Sequence, residues 1–374
     1  MILKNVSYYG EDFKFHTGSI EIENERIKNI QEYPCEPVSL VLPGLIDIHN
    51  HGNSGSDFSD GDYDGLVKMA QFHARHGITS FTPASMTMPE ELLHRAFANG
   101  PRLRDAKRQD CARIVGIMME GNFFSEVKKG AHNPKYLIQP DIEMVKRLND
   151  TADGMLKFVC VAPELDAALD FIQEISHICT VSLAHTNATY EEAIAGFKAG
   201  ATHLTHTFDA MPPLLHRSPG IIGAAAELDE VWKELICDGI HVHPSTIRAA
   251  FKLLGAEHIC IVSDTLCACG LTDGTYELGE QIITVNGLHA TLPDGTIAGS
   301  MTDLFSSMKR TITFGISKED AIRAASYNPA CALHMQNEIG SLSVGKLADL
   351  IICTEDLNIK EVYINGHAID CCNS

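Results

Sequence analysis

The chain has 374 residues, 45% of them hydrophobic and 21% charged, the make-up of an ordinary globular protein long enough to bury a large core. Its formal net charge of −20 excludes nucleic acid and anionic membrane as partners, because both require basic surface. No stretch approaches the roughly 18 uninterrupted apolar residues of a spanning helix. Met1-Ile2-Leu3-Lys4-Asn5 lacks a signal peptide's long apolar run, so a cytoplasmic location is expected. The twelve cysteines are scattered through strand-like runs without a Cys-x-x-Cys pair, which predicts reduced thiols used as small buried hydrophobes.

Residues 1–42 alternate as strands do, for example Ser19-Ile20-Glu21-Ile22. The tail 340–374 repeats that character in Leu350-Ile351-Ile352-Cys353 and adds the hairpin signal Asn365-Gly366. The two ends are expected to pair into one small β-sandwich domain. Between them, 43–339 carries eight apolar, β-branched runs at 44–49, 78–82, 113–119, 157–163, 180–185, 201–206, 234–238 and 258–264. Most are followed by helical patterns. A helix from about Leu66 to His76 stops at Gly77. Thr189 and Glu192 form a capping box, Ala193, Ile194 and Phe197 share a helical face, and Gly200 ends that helix before Ala201 to His206. Eight such alternations predict an α/β fold, a (β/α)8 TIM-type barrel. The turns Asn286-Gly287 and Asp294-Gly295 mark a β-rich insertion at about 276–299, expected as a flap.

Five of these runs end on side chains that bind metals or move protons: His49 and His51, Glu120, His185, His206 and Asp264. In a parallel barrel, strand ends face the mouth where substrate enters. Each residue has a bland reading alone. A histidine pair arises cheaply, as His241-Val242-His243 shows, single histidines are often hydrogen-bonded core residues, and Asp264 could cap a helix. Glu120 is harder to dismiss, since burying an unpaired carboxylate is costly. The whole set at one end of one barrel favours a metal-dependent hydrolase. Imidazoles and carboxylates suit zinc, or iron as an alternative, with one or two ions and an open position for water. A free carboxylate such as Asp264 can then take the water proton and return it to a leaving nitrogen.

The opening motif Pro43-Gly44-Leu45-Ile46-Asp47-Ile48-His49-Asn50-His51-Gly52 resembles that of the amidohydrolase superfamily. Met119-Glu120-Gly121, Ala184-His185-Thr186-Asn187, Thr205-His206-Thr207-Phe208-Asp209-Ala210-Met211, Arg217-Ser218-Pro219-Gly220, Asp238-Gly239-Ile240-His241, Ser263-Asp264 and Ala298-Gly299-Ser300 look like the N-acetylglucosamine-6-phosphate deacetylase family, nearly end to end. The resemblance implies that Glu120, His185 and His206 hold the principal ion, with His49 and His51 supporting a second one bridged by Glu120. It implies Asp264 as general acid/base and His132 as the group polarising the acetyl carbonyl. Arg217, His241 and the backbone around Asp209 and Ala210 would meet a sugar phosphate, Met301 would border the acetyl group, and a homodimer would complete the phosphate pocket. Two positions depart from the family pattern. Asn122 replaces proline, which predicts a less constrained loop. Asp209 replaces asparagine, and an ionised carboxylate repels phosphate instead of donating to it. The implied reaction is deacetylation of N-acetylglucosamine 6-phosphate. Alternatives are an isomeric N-acetylhexosamine 6-phosphate, another small N-acyl amide, or a catalytically dead barrel acting as a binding protein.

Overall fold

The computed structural model describes residues 1–370; the last positions of the predicted terminal domain, 371–374, lie outside the described residues. Both ends of the chain enter one seven-stranded sheet. Its strands are β1 (Ile2–Tyr9), β2 (Phe15–Glu23), β3 (Arg26–Glu32) and β4 (Ser39–Pro43) from the front of the chain. β4 pairs in parallel with β1 and antiparallel with Leu350–Cys353 from the tail, so residues far apart in sequence alternate across the sheet. Ile20, Ile22, Ile27, Val41 and Leu350 form its buried side. The expected hairpin turn is present: Asn365 and Gly366 adopt φ of 51° and 72°, as a two-residue type I′ turn requires. Arg113 grips Asp349 through two contacts of 3.0 and 3.2 Å, tying this sheet to the barrel.

Eight parallel strands follow in sequence order around the barrel. They are β5 (Leu45–Asn50), β6 (Ile78–Ser85), β7 (Ile117–Met119), β8 (Leu156–Val161), β9 (Thr180–Leu183), β10 (His203–Leu204), β11 (Trp232–Ile236) and β12 (Ile259–Val262). Most are buried on both faces, which is why they read as continuous apolar runs. The helix Tyr63–Arg75 starts on Asp62, whose carboxylate accepts from the Asp64 and Gly65 amides, and buries Leu66, Met69 and Phe72. The Thr189/Glu192 capping box opens the helix Tyr190–Ala199 as expected.

First and last barrel strands meet through particular groups instead of a regular ladder. The Asp264 amide donates to the His49 carbonyl at 2.9 Å and the His51 amide to the Thr265 carbonyl at 2.8 Å. The buried Asp47 carboxylate accepts from Ser263 Oγ at 2.5 Å and from its amide at 3.3 Å. Burial pushes the Asp47 carboxyl up to about 7. The insertion forms a three-stranded antiparallel sheet of Gly274–Leu278, Gln281–Asn286 and His289–Thr291. Tyr136 Oη donates to Glu280 at 2.7 Å, and Gln281 reaches the Ala131 carbonyl, so the insertion holds the loop that follows β7.

Candidate active site

The strand ends place the site. β9, β10 and β12 each stop two residues before a functional side chain, and His185, His206 and Asp264 take φ of 43°, 25° and 48°. A non-glycine residue in this left-handed region costs about 1–2 kcal/mol, and such strain gathers where structure fixes a functional group. All three side chains are turned into the barrel mouth and buried.

Glu120 sits at the centre. Its Oε1 lies 3.0 Å from His206 Nε2 and 3.3 Å from His185 Nε2. Its Oε2 lies 2.9 Å from His51 Nε2 and 3.3 Å from His49 Nε2. Asp264 Oδ1 completes the second group, 3.3 Å from His51 and 3.5 Å from His49. Two triads result, Glu120/His185/His206 and His49/His51/Asp264, each with its ligand atoms within 4.8 Å of one another. A carboxylate with one oxygen toward each triad has the geometry of a bridge.

The surroundings aim the Nε2 lone pairs at this centre. His49 Nδ1 donates to the Glu234 carboxylate at 2.8 Å, His51 Nδ1 to the Ala84 carbonyl at 3.2 Å and His185 Nδ1 to the Lys128 carbonyl at 2.9 Å. Such outer partners are the usual way of fixing a ligating imidazole. His49 Nε2 is buried and makes no hydrogen bond of its own. Burial works against charge here, yet the imidazoles led by His49 hold Glu120 well below the carboxylate range, and those of His49 and His51 hold Asp264 at about 2. Conversely, despite burial, Asp264 and Glu120 hold His51 up at about 10. Ionised acids that draw positive charge onto their neighbours, together with imidazole nitrogens facing inward, fit a divalent cation.

The centre opens into a chamber of about 550 Å³ whose wall includes His132, Lys128, Lys129, Asp209, Ala210 and His241, closed on one side by Asp294, Thr296 and Ile297 of the insertion. His132 Nε2 stands 3.6 Å from Glu120 Oε2. His241 is fixed by Asp238, which accepts from its Nδ1 at 2.7 Å and its amide at 2.9 Å. Although burial opposes it, Asp238 raises His241 to about 9, so this wall carries a cation. Asp209 shares that wall: burial raises its carboxyl to about 6, and Oδ2 has no hydrogen-bond partner.

Arg217 and Met301 are not among the residues that line the chamber. Arg217 lies on an exposed loop against His216 at 2.6 Å, among residues of a separate hollow. Met301 is half-buried beside the core, and its carbonyl accepts from Cys269 Sγ at 3.5 Å. Asn122 corrects the expectation of a looser loop. Its φ is 69°, which proline cannot adopt. Its amide donates to the Met88 and Tyr136 carbonyls, each at 2.9 Å, and so staples two loops together. Sequence reading missed Glu234, although a carboxylate within a strand such as Trp232–Ile236, once buried, requires a partner. Glu234 also accepts from His203 Nε2 at 2.9 Å and from the His206 amide at 3.2 Å.

Fold and site define a barrel hydrolase with a built cation centre, and the chain belongs to the amidohydrolase family, which residues 40–369 match. It is a metal-dependent hydrolase acting on an amide. The chain is similar to N-acetylglucosamine-6-phosphate deacetylase of Bacillus subtilis, 34% identical over 98% of this chain and 96% of that protein. It is also similar to N-acetylgalactosamine-6-phosphate deacetylase of Escherichia coli O157:H7, 32% identical over 87% of each. Among solved structures, a mutant N-acetyl-D-glucosamine-6-phosphate deacetylase from Mycobacterium smegmatis, in complex with N-acetyl-D-glucosamine-6-phosphate, superposes with a TM-score of 0.92 at 30% identity, covering 98% of both chains. The Thermotoga maritima N-acetylglucosamine-6-phosphate deacetylase gives 0.90 at 30% identity over 98% and 99%. Among the described residues, no helix is long and apolar enough to cross a membrane.

Proposed function

We propose that the chain hydrolyses the N-acetyl group of N-acetylglucosamine 6-phosphate to glucosamine 6-phosphate and acetate. The observation that carries the reading is the pair of triads sharing Glu120 at the floor of a chamber with a cationic wall. Glu120, His185 and His206 would hold one divalent ion, and His49, His51 and Asp264 lie where a second would sit. Zinc suits the mixed imidazole and carboxylate donors best, with iron as the alternative. An ion so held makes a bound water far more acidic and polarises a carbonyl.

The chain's own groups supply the rest. Asp264, kept ionised by the imidazoles about it, accepts the water proton and returns it to the sugar nitrogen as the amide bond breaks. His132, held below its ordinary range by burial, is neutral and offers a hydrogen bond to the acetyl oxygen. His241 with Asp238 behind it, and Lys128 and Lys129, supply positive charge for the phosphate. Arg217, on an exposed loop beside exposed Leu214 and Leu215, would serve the chamber of a second subunit in a homodimer. The net charge and scattered thiols fit a cytoplasmic enzyme.

The similarity to a galactosamine-type deacetylase supports one second reading, the C4 epimer as substrate. Acetate release measured on both 6-phosphorylated sugars, and on unphosphorylated N-acetylglucosamine, tests the proposal. Release from the phosphorylated gluco sugar should be fastest. Equal rates with and without phosphate would remove the anion from the account, and a faster galacto sugar would transfer the assignment to the epimer.

A further inference from the structure

The imidazoles around Glu120 are sorted by what faces their Nδ1 atoms. For His49, His51 and His185 that neighbour is a carboxylate or a carbonyl, an acceptor that places the proton on Nδ1 and leaves Nε2 bare for a cation. His206 Nδ1 is buried without a hydrogen-bond partner, and His132 differs from all of these in meeting donors. The Thr87 backbone amide points at its Nδ1 from 3.2 Å, and Thr87 Oγ1 lies 2.9 Å from the same atom. An amide N–H can only donate, so His132 Nδ1 must be the acceptor. The Thr87 hydroxyl in turn accepts from the Asn122 amide at 3.2 Å, which leaves its own proton free to point at His132. The chain of donors therefore runs in one direction, from Asn122 N–H through Thr87 O–H to His132 Nδ1.

We infer that Thr87 is a positioning residue for the deacetylation: it fixes His132 as the tautomer with its proton on Nε2, directed into the chamber, and so makes it a hydrogen-bond donor and not a further ligand. The inference deepens the role given to His132 in the proposed reaction and rests on that reading. Three features show that the arrangement is built. Thr87 and His132 are 1% and 3% exposed, so water does not substitute for the hydroxyl. A Cβ on Gly121 would lie 2.4 Å from Thr87 Oγ1, so the glycine after Glu120 makes the room that the hydroxyl occupies. Phe124 and His185 pack against the His132 ring at centroid distances of 5.0 and 4.5 Å, nearly perpendicular to it, and prevent its rotation.

The test uses the zinc-loaded full chain with 15N-labelled histidine, the His132 signal being assigned from a His132→Asn variant. Bare and protonated ring nitrogens resonate far apart. His132 is expected to show bare Nδ1 and protonated Nε2. Thr87→Val, which exchanges the hydroxyl for a methyl group, should blur that tautomer preference and lower kcat about 10-fold, at the lower end of the loss typical for an outer hydrogen-bond partner. KM and zinc content should stay within about twofold, the pattern of an interaction made in the transition state alone. Thr87→Ser should restore both tautomer and kcat. A protonated Nδ1 on His132 in the wild type overturns the inference whatever the variants do, as does wild-type turnover in Thr87→Val. If the tautomer is as stated but His132→Asn turns over normally, the reading of His132 as the carbonyl donor fails and the hydrogen-bond assignment stands.

Discussion

Asp209 is the residue whose chemistry agrees least with an anionic substrate, and Asp209→Asn measures by how much. An ionised carboxylate about 4 Å from a phosphate charge costs about 1 kcal/mol in water and about 4 at an effective dielectric of 20. The protein has a second option, which is to protonate Asp209. Burial has already raised its carboxyl to about 6, and each pH unit above that value costs about 1.4 kcal/mol to keep it neutral. The cheaper route sets the penalty. At pH 8 it is bounded at about 2.7 kcal/mol, roughly 100-fold, and at pH 5 it vanishes because the neutral acid donates a hydrogen bond as an amide does. Asparagine should therefore raise kcat/KM on the 6-phosphorylated sugar by about 10- to 100-fold at pH 8, leave it nearly unchanged at pH 5, and not help the unphosphorylated sugar. The assay is acetate release across pH 5–8.5 on both sugars. A gain independent of pH, or one shared by the unphosphorylated sugar, would refute the argument. Stability follows the same sign. A carboxyl whose folded-state value is raised makes the folded protein hold the extra proton, so the native state loses stability as pH rises from about 4 to about 6. The asparagine variant should accordingly melt higher than wild type at pH 8 and not at pH 4.

Asp264→Asn keeps shape but cannot take a proton, so kcat should fall by about 10²- to 10⁴-fold while ion binding by Glu120, His185 and His206 persists; rate and metal content, measured together, check both halves. Glu234→Gln withdraws the carboxylate that orients His49 and the His206 amide, and should weaken ion affinity by about 10- to 100-fold, the His49 half being lost first. Titration with a chelator that resolves two ions would show this, and unchanged affinity for both would exclude a positioning role. Asn122→Pro forces φ from 69° to a negative value and removes two side-chain hydrogen bonds. The cost of about 3 kcal/mol or more should lower Tm on the order of 5 °C.

Periodicity carried the barrel, because a strand buried on both faces tends to read as one apolar run, as β12 does, while the equally buried β6 keeps Thr79 and Thr82 by donating their hydroxyls to the Leu45 and Ile48 carbonyls. The strand ends carried the candidate ligands, since polar side chains that close apolar runs have few other reasons to be there. What sequence could not convey is the direction in which loops fold. Arg217 and Asp209 lie in neighbouring motifs, yet one faces solvent and the other the chamber. Thr87 was invisible for a related reason: its role depends on meeting His132 from 45 residues away, and nothing local marks the encounter. Glu234 was legible in principle and overlooked because it stands beside Lys233 at the start of the apolar run, where a pair of charges reads as a solvated strand end. In the terminal sheet, alternation was evident but strand order was not, because the parallel pairing of β1 with β4 has no turn to announce it.

The two triads differ in how the fold holds them. Glu120, His185 and His206 follow strands joined by continuous parallel pairing from β7 to β10, so their spacing is inherited from the ladder. His49, His51 and Asp264 straddle the seam where the barrel closes, and the amides that close it belong to Asp264 and His51 themselves. A cation held by the first triad would therefore meet a preformed site, whereas one held by the second would also fasten the first strand to the last. Glu120 couples the two, since its Oε2 faces the seam while its Oε1 faces the ladder. Asp47 strengthens the same seam with a carboxyl that burial has raised to about 7 and that accepts from the Ser263 hydroxyl and amide across it. Barrel closure and assembly of the second triad are thus one structural event, and whatever loosens the seam loosens the position of Asp264, the group proposed to carry the proton.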